Sequence, residues 1–268
     1  MFAAVFSHVL SKGLCRVWER HGLREFEVLT YLAMKRSVLF LAAVVLLGVG
    51  LQSCDREENN GDNNGGGSGG DNSSLVWVDL GLPSGLLWAD RNVGASSPED
   101  YGNYYAWGET TPKDVYDWRT YAHGHSYNTL TKYCYDAFYG LNGFSDNLTT
   151  LQVSDDAATA NLGGGARTPT RYEWEELLDN TTDICTTRNG VIGILLTASN
   201  GKSLFLPAAG FCYGSSLSFA GRGGDYWSGT LDVDNPYCAW RFSFGHPEVQ
   251  VDYREYGFSV RAVCASQN

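Results

Sequence analysis

In the forty residues from Asp225 to Cys264, apolar positions alternate with polar ones. Phe242, Phe244, Val249 and Val251 are interleaved with Arg241, Ser243, Gln250 and Asp252. A strand sends successive side chains to opposite faces, so this pattern asks for half-buried strands with one face in a core and the other toward water. The apolar face uses few residue types. The polar face uses many: both charges, an amide, a hydroxyl and tyrosines. A uniform inner face under a mixed outer one is the composition expected of a binding surface on a fixed scaffold.

The preceding residues read as more short strands. Glycine is abundant (32 residues) and apolar runs are brief, which points to many strands and turns. Leu75–Leu80 and Leu86–Val93 are expected strands around Pro83-Ser84-Gly85, and Tyr104–Trp107 a short aromatic one. Thr110 to Gly165 is irregular, with a short helix near Asp155–Asn161. Ile184–Thr187 and Val191–Thr197 flank Arg188-Asn189-Gly190, and Asn-Gly favours the positive φ angles of a tight hairpin. Ser203–Leu206, Ala239–Phe244, Val249–Asp252 and Ser259–Val263 complete the strands. One helix is clearly signed: Thr170-Arg171-Tyr172-Glu173 is a capping box, Trp174, Leu177 and Leu178 share a face, and Asn180 ends it. The fold class expected is α+β with a minor helical share.

The front of the chain is a targeting device. Met34-Lys35-Arg36 places two cations before Val38–Leu51, 14 residues without a charge, short of the roughly 20 that span a membrane. Leu51-Gln52-Ser53-Cys54 follows as a lipoprotein cleavage box, with Cys54 the lipidated residue. Residues 34–54 are therefore read as a signal peptide and residues 1–33 as an extended gene start. Residues 55–74 contain no apolar side chain and cannot offset the entropy of ordering. They are expected to form a flexible tether spanning roughly 25 Å on average. Asp55, Glu57 and Glu58 behind the cysteine resemble a surface-export signal, so the expected location is the outer face of an outer membrane. The folded domain is then 75–268.

After Cys54 the chain carries 13 Lys and Arg against 27 Asp and Glu. That acidity excludes nucleic acid as a partner, because phosphate neutralisation needs basic patches. It also leaves the lipid, not headgroup charge, as the membrane attachment. Five further cysteines remain, Cys134, Cys185, Cys212, Cys238 and Cys264, an odd number with no C-x-x-C spacing; most read as small buried hydrophobes. His123 and His125 lack a third zinc ligand at any telling spacing and read as a solvated polar loop. No G-x-S-x-G elbow occurs, and Glu173, Glu175 and Glu176 fit capping and solvated-helix roles. Trp88, Trp107, Trp174, Trp227 and Trp240 read as core. Tyr253 and Tyr256 are the better contact residues, since tyrosine suits adaptable recognition. The chain is read as a binding protein and not an enzyme, with no cofactor and no metal site assigned. Calcium is the ion left open, through the oxygens of Asp232, Asp234 and Asn235.

Several motifs carry a resemblance. Val78-Asp79-Leu80-Gly81-Leu82-Pro83-Ser84-Gly85, Trp88 to Ala95, and Tyr105-Ala106-Trp107-Gly108-Glu109-Thr110-Thr111-Pro112 are similar to the Fibrobacter succinogenes major paralogous domain family. Asp155-Asp156-Ala157-Ala158, Arg167-Thr168-Pro169-Thr170, Phe205 to Gly210, Tyr226-Trp227-Ser228 and Gly257 to Arg261 continue the match, over about residues 76–264. The resemblance implies an exported lipoprotein with a C-type-lectin-like fold, termini paired as strands and a loop-rich lobe carrying ligands. Arg167 to Glu175 resembles a signature of the formylglycine-generating branch of that superfamily, but the paired cysteines of that enzyme have no counterpart here. Calcium-dependent lectins carry E-P-N or Q-P-D with W-N-D, and none of these occurs.

Leu231 to Gly257 also resembles the mutable tail of variable proteins of diversity-generating retroelements, with W-x-F-x-F, V-x-V and R-x-x-G as its steady frame. The positions this implies as ligand-binding are Tyr237, Arg241, Ser243, His246, Glu248, Gln250, Asp252, Tyr253, Glu255 and Tyr256, with Cys238 as a further variable position. The partner implied is a protein or glycan on a cell or phage surface. A structural or pilus-associated envelope component is the alternative reading.

Overall fold

The computed structural model describes residues 74–245 and 247–266. The signal segment, Cys54, the tether up to residue 73 and His246 lie outside them. The described chain is built from small antiparallel sheets with two short helices, an α+β arrangement dominated by strands. β1 (Trp77–Asp79) and β2 (Leu86–Asn92) precede a long segment without strands. Two helices follow, α1 (Ala157–Leu162) and α2 (Arg171–Asp179), then β3 (Thr181–Arg188), β4 (Val191–Ala198) and β5 (Ser203–Pro207). After them come β6 (Phe211–Tyr213), β7 (Ser216–Ser218), β8 (Asp225–Leu231), β9 (Cys238–Ser243), β10 (Glu248–Tyr253) and β11 (Arg261–Ala265). The sheets are ordered β1-β2-β11, β10-β9-β8, β3-β4-β5 and β6-β7. The last strand thus pairs with the second, from Arg261 opposite Asn92 to Ala265 opposite Leu86.

Local chemistry sets the element ends. The Thr170 hydroxyl accepts from Glu173 N, and a Glu173 oxygen accepts from Thr170 N at 2.7 Å, so two otherwise orphaned amides are satisfied at the start of α2. Asn180 caps its other end. Asp156 caps α1 through Ala158 N and Thr159 N, and its carboxylate also accepts from Thr168 N, tying the two helices together. Asn189 and Gly190 take φ of 48° and 81° and close the β3–β4 hairpin in two residues. Gly210 sits at φ 67°, where a Cβ would come within 2.1 Å of Ser218 O; only glycine fits there.

The core has two halves on either side of a central layer. Trp88, Tyr226 and Val263 join one cluster with Trp174, Leu177 and Phe242. Their sequence neighbours Ala89, Trp227 and Ala262 join the other with Trp107, Tyr133 and Phe258. β2, β8 and β11 are therefore covered on both faces. Arg261 crosses this layer fully buried. It donates to Asn92 Oδ1 at 2.7 Å, Ala89 O at 3.1 Å and Phe205 O at 3.0 Å, joining β2 to β5. Burial pulls its basicity down to about 10.

Two expectations change. Tyr104–Trp107 is not a strand; Tyr105 alone bridges to Phe258, with N–H···O bonds of 3.0 and 3.1 Å. Its neighbour Trp107 is a core anchor whose Nε1 donates to Ser228 O at 2.7 Å. β6, β7 and β8 were not foreseen. In β8 the pairing with β9 shifts register between Trp227 and Leu231, around the small residues Ser228 and Gly229.

Replacing Thr170 with Ala removes one partner of the capping box. The unfolding free energy should fall by about 1 kcal/mol, and Thr170→Ser should restore most of it. Equilibrium urea unfolding of the three proteins checks this.

Candidate functional site

β9 and β10 form a hairpin in unbroken register from Cys238 opposite Tyr253 to Ser243 opposite Glu248. Its apolar face packs on α2: the Phe242 ring stacks on Trp174 with centroids 4.9 Å apart, and Val249 packs against the same cluster. Trp240 is half-buried beneath the Arg171 guanidinium, which lies 3.8 Å from its ring. The alternation in the sequence is therefore real: Phe242 and Phe244 are in the core, while Val249, Val251 and Trp240, also expected there, are half-buried at its edge.

The opposite face is less open than expected. Arg241 lies between two carboxylates, donating to Asp225 Oδ1 at 2.6 Å and Asp252 Oδ2 at 3.0 Å, with its side chain only 13% exposed. Burial opposes its charge, but Asp225 and Asp252 outweigh that and hold the guanidinium firmly protonated. Burial raises the Asp225 carboxyl despite the Arg241 charge beside it. Arg241 is thus a cross-strand strut and not a free contact residue. Tyr237 and Cys238 are also buried, 6% and 1% exposed, because the chain turns inward before β9. Ser243, Gln250, Asp252, Tyr253 and Tyr256 are half-buried and Glu248 is exposed. His246 is outside the described residues.

Glu255 is the clearest correction. It is 4% exposed, and its Oε2 has no hydrogen-bond partner among the described residues. It follows Arg254, which turns the chain into the core. Burial pushes the Glu255 carboxyl up to about 8, with the charges of Asp252 and Asp117 adding to the effect and that of Arg254 opposing it.

Arg254 itself has no exposed surface. Its guanidinium donates to Tyr121 Oη at 2.8 Å, Tyr133 O at 3.0 Å, Pro236 O at 2.7 Å and Lys132 O at 3.1 Å. It also lies 5.0 Å from the Trp107 ring centroid and 5.3 Å from that of Tyr121. The end of β10 is thereby fastened to the irregular segment between Gly108 and Gly165.

That fastening assembles a band of aromatic rings. Tyr253 stacks on Tyr237 at 5.9 Å and meets Tyr256 at 5.8 Å. Tyr256 stacks on Phe211 at 6.0 Å and meets Tyr213 edge-on at 5.0 Å. Phe211 continues to Phe219 at 5.8 Å. In the other direction Tyr237 touches Tyr139 at 5.2 Å and Tyr127 at 5.9 Å, and Tyr139 touches Phe138 at 5.1 Å. The band ends in exposed rings, Phe138 at 74% and Phe219 at 61%. Three elements supply it: the β9–β10 tail, the β6–β7 hairpin and the irregular segment. The sequence singled out only Tyr237, Tyr253 and Tyr256. The run of five aromatics between Tyr133 and Phe144 was the available signal for the irregular segment.

His123 is not a solvated loop residue. Its Nε2 lies 2.9 Å from Gly108 O, its ring edges meet Tyr121 and Tyr133, and burial lowers its basicity. His125 is exposed. Asp232 accepts from Asp234 N and Asn235 Nδ2 within its own turn. Among the described residues no group of three or more His, Cys, Asp and Glu side chains is placed to hold a metal ion. Among the described cysteines Cys134, Cys238 and Cys264 are buried, Cys212 is half-buried and Cys185 is exposed. Trp88, Trp107, Trp174 and Trp227 are all core. Comparison with protein-family models, curated proteins and solved structures finds no match to this chain.

Glu255 generates a pH prediction. In the unfolded chain its carboxyl releases its proton in the ordinary glutamate range, while in the folded chain it holds the proton up to about 8. The folded state binds more protons between those values, so this residue's contribution to stability falls as pH rises through that window. Glu255→Gln should change stability by less than about 1 kcal/mol at pH 5 and raise it by roughly 4–5 kcal/mol at pH 9. Equal effects at the two pH values in thermal or urea unfolding would contradict it.

Proposed function

We propose that this chain is a surface-anchored lipoprotein whose folded domain binds a macromolecular ligand noncovalently through the aromatic band. The observation that carries the reading is the band itself: rings from three separate parts of the chain in continuous contact, exposed at both ends and held by a buried arginine. Tyrosine offers an apolar face and a hydrogen-bonding edge at low conformational cost, which suits either a glycan or a protein surface. The mixed polar side chains Ser243, Glu248 and Gln250 flank the same hairpin. They fit a rim around that contact.

A C-type-lectin-like fold agrees with several features. The early strands β1 and β2 join the last strand in one sheet, and α2 follows the R-T-P-T segment. The long segment between β2 and α1 contains no strand. Membership of the Fibrobacter succinogenes major paralogous domain family rests on the sequence motifs quoted above, and lipid attachment at Cys54 rests on the cleavage box. A tail diversified by a retroelement fits the surface positions Ser243, Glu248, Gln250, Tyr253 and Tyr256. It does not fit Glu255, Cys238 or Tyr237, which support the fold.

Glycan and protein arrays probed with the chain from residue 55 onward should retrieve a ligand. Tyr253→Ala and Tyr256→Ala should each weaken it about tenfold or more, as removal of a central aromatic anchor does. Changing Ser243, Glu248 and Gln250 together should alter the ligand preference and leave the unfolding midpoint in place. Binding untouched by both tyrosine changes would reject the surface.

The anchor has its own test. Cells expressing the full chain should incorporate labelled palmitate and lose the domain to added protease, and Cys54→Ser should abolish the label. Incorporation persisting in Cys54→Ser would reject the anchor without bearing on the ring surface.

A further inference from the structure

β3 is the outer strand of its sheet, and among the described residues it is paired on one side only. Arg188 and Val191 close the two-residue turn, which makes them a hydrogen-bonded pair. Antiparallel alternation then turns the backbone groups of Thr182, Ile184, Thr186 and Arg188 toward β4. Those of Thr181, Asp183, Cys185 and Thr187 point outward. β4 confirms the phase: Ala198 N donates to Lys202 O at 2.9 Å and Ile192 O accepts from Ala208 N at 2.7 Å, so its even-numbered residues face β5.

Edges of this kind are commonly guarded by charged side chains, above all lysine, or by proline, a bulge or shortness. β3 has no lysine, proline or bulge, and its only charges are Asp183 and Arg188. It runs T-T-D-I-C-T-T-R for eight residues in unbroken register, and Arg188 is drawn aside to Glu99 at 2.8 Å. Six of its eight side chains are exposed, Ile184 at 61% and the Cys185 thiol among them.

We propose that β3 pairs antiparallel with β3 of a second copy of this chain, about a two-fold axis through Cys185. The outward backbone groups restrict pairing to registers that set odd-numbered residues opposite odd-numbered ones, and the axis through Cys185 is the one of these that brings the two exposed thiols face to face. Cys185 then faces the second copy's Cys185, and Asp183 faces Thr187, in hydrogen-bonded pairs about 5.5 Å apart at Cα. No like charges meet, because the facing partners of Asp183 and Arg188 are both threonines. The two Ile184 side chains lie diagonally, about 7–8 Å apart, and cover each other. The two thiols share one face at a Cα separation that a disulfide accepts. That self-complementarity favours a second copy over an unrelated extended peptide.

The test uses the full chain in mild detergent. Diamide takes one hydrogen from each of two thiols as the disulfide forms and is reduced to its hydrazine. Non-reducing electrophoresis should then show a dimer that Cys185→Ser abolishes. Register is read in the Cys185→Ser background: chains carrying Asp183→Cys should crosslink to chains carrying Thr187→Cys at least ~tenfold more than either does to itself, the two positions facing each other across the ladder. Thr187→Pro removes one outward N–H per copy without touching the β3–β4 ladder, so the monomer should stay folded while light scattering shows the dimer lost. A monomer at all concentrations, a Cys185 crosslink undiminished in Thr187→Pro, or self-crosslinking equal to cross-pair crosslinking would overturn the proposal.

Discussion

The guanidinium of Arg254 is enclosed by the rings of Trp107, Tyr121 and Tyr133 and donates to three backbone carbonyls and a tyrosine oxygen. A buried cation is costly unless its donors are satisfied, and here four hydrogen bonds and three ring faces do that without an ion pair among the described residues. The carbonyls belong to Lys132 and Tyr133 in the irregular segment and to Pro236 before β9. A segment with few ladder bonds of its own is therefore fastened at residues 132–133 by one side chain at the end of β10, in addition to its bridges from Tyr116 to Gly214 and from Thr150 to Thr230. The rings the aromatic band takes from that segment, Tyr127, Phe138 and Tyr139, lie on either side of this attachment.

Arg241 and Arg261 extend the same logic at smaller and larger scale. Arg241 spans β8, β9 and β10 through Asp225 and Asp252, fixing the hairpin on which Tyr253 sits. Arg261 joins the sheet containing the last strand to β5. Three arginines of the tail hold the frame, and of these only Arg241 was expected from the sequence to be a contact residue. What remains for contact is aromatic and uncharged or acidic, consistent with the acidity of the whole chain.

Much of the frame was legible from local chemistry. The capping box at Thr170, the Asn189-Gly190 hairpin and the alternation through Phe242 depend on near neighbours in sequence, and each lies where the sequence placed it. The burial of Glu255, Tyr237 and Cys238 was not legible, because it comes from the chain turning inward around Arg254, a contact made across more than a hundred residues. The β6–β7 hairpin leaves little trace in the sequence, since its strands are three residues each. Alternation reveals which side a residue takes, not whether another element covers that side, as Phe258 approaches Arg241 on the polar face of the tail.

Hydrogen exchange of the chain with and without the ligand retrieved from the arrays would map the contact directly. Recognition through the aromatic band predicts slowed exchange together in residues 127–139, 211–219 and 248–256, with 181–198 unchanged. Protection centred on 181–198, or absent from all three parts of the band, would contradict it.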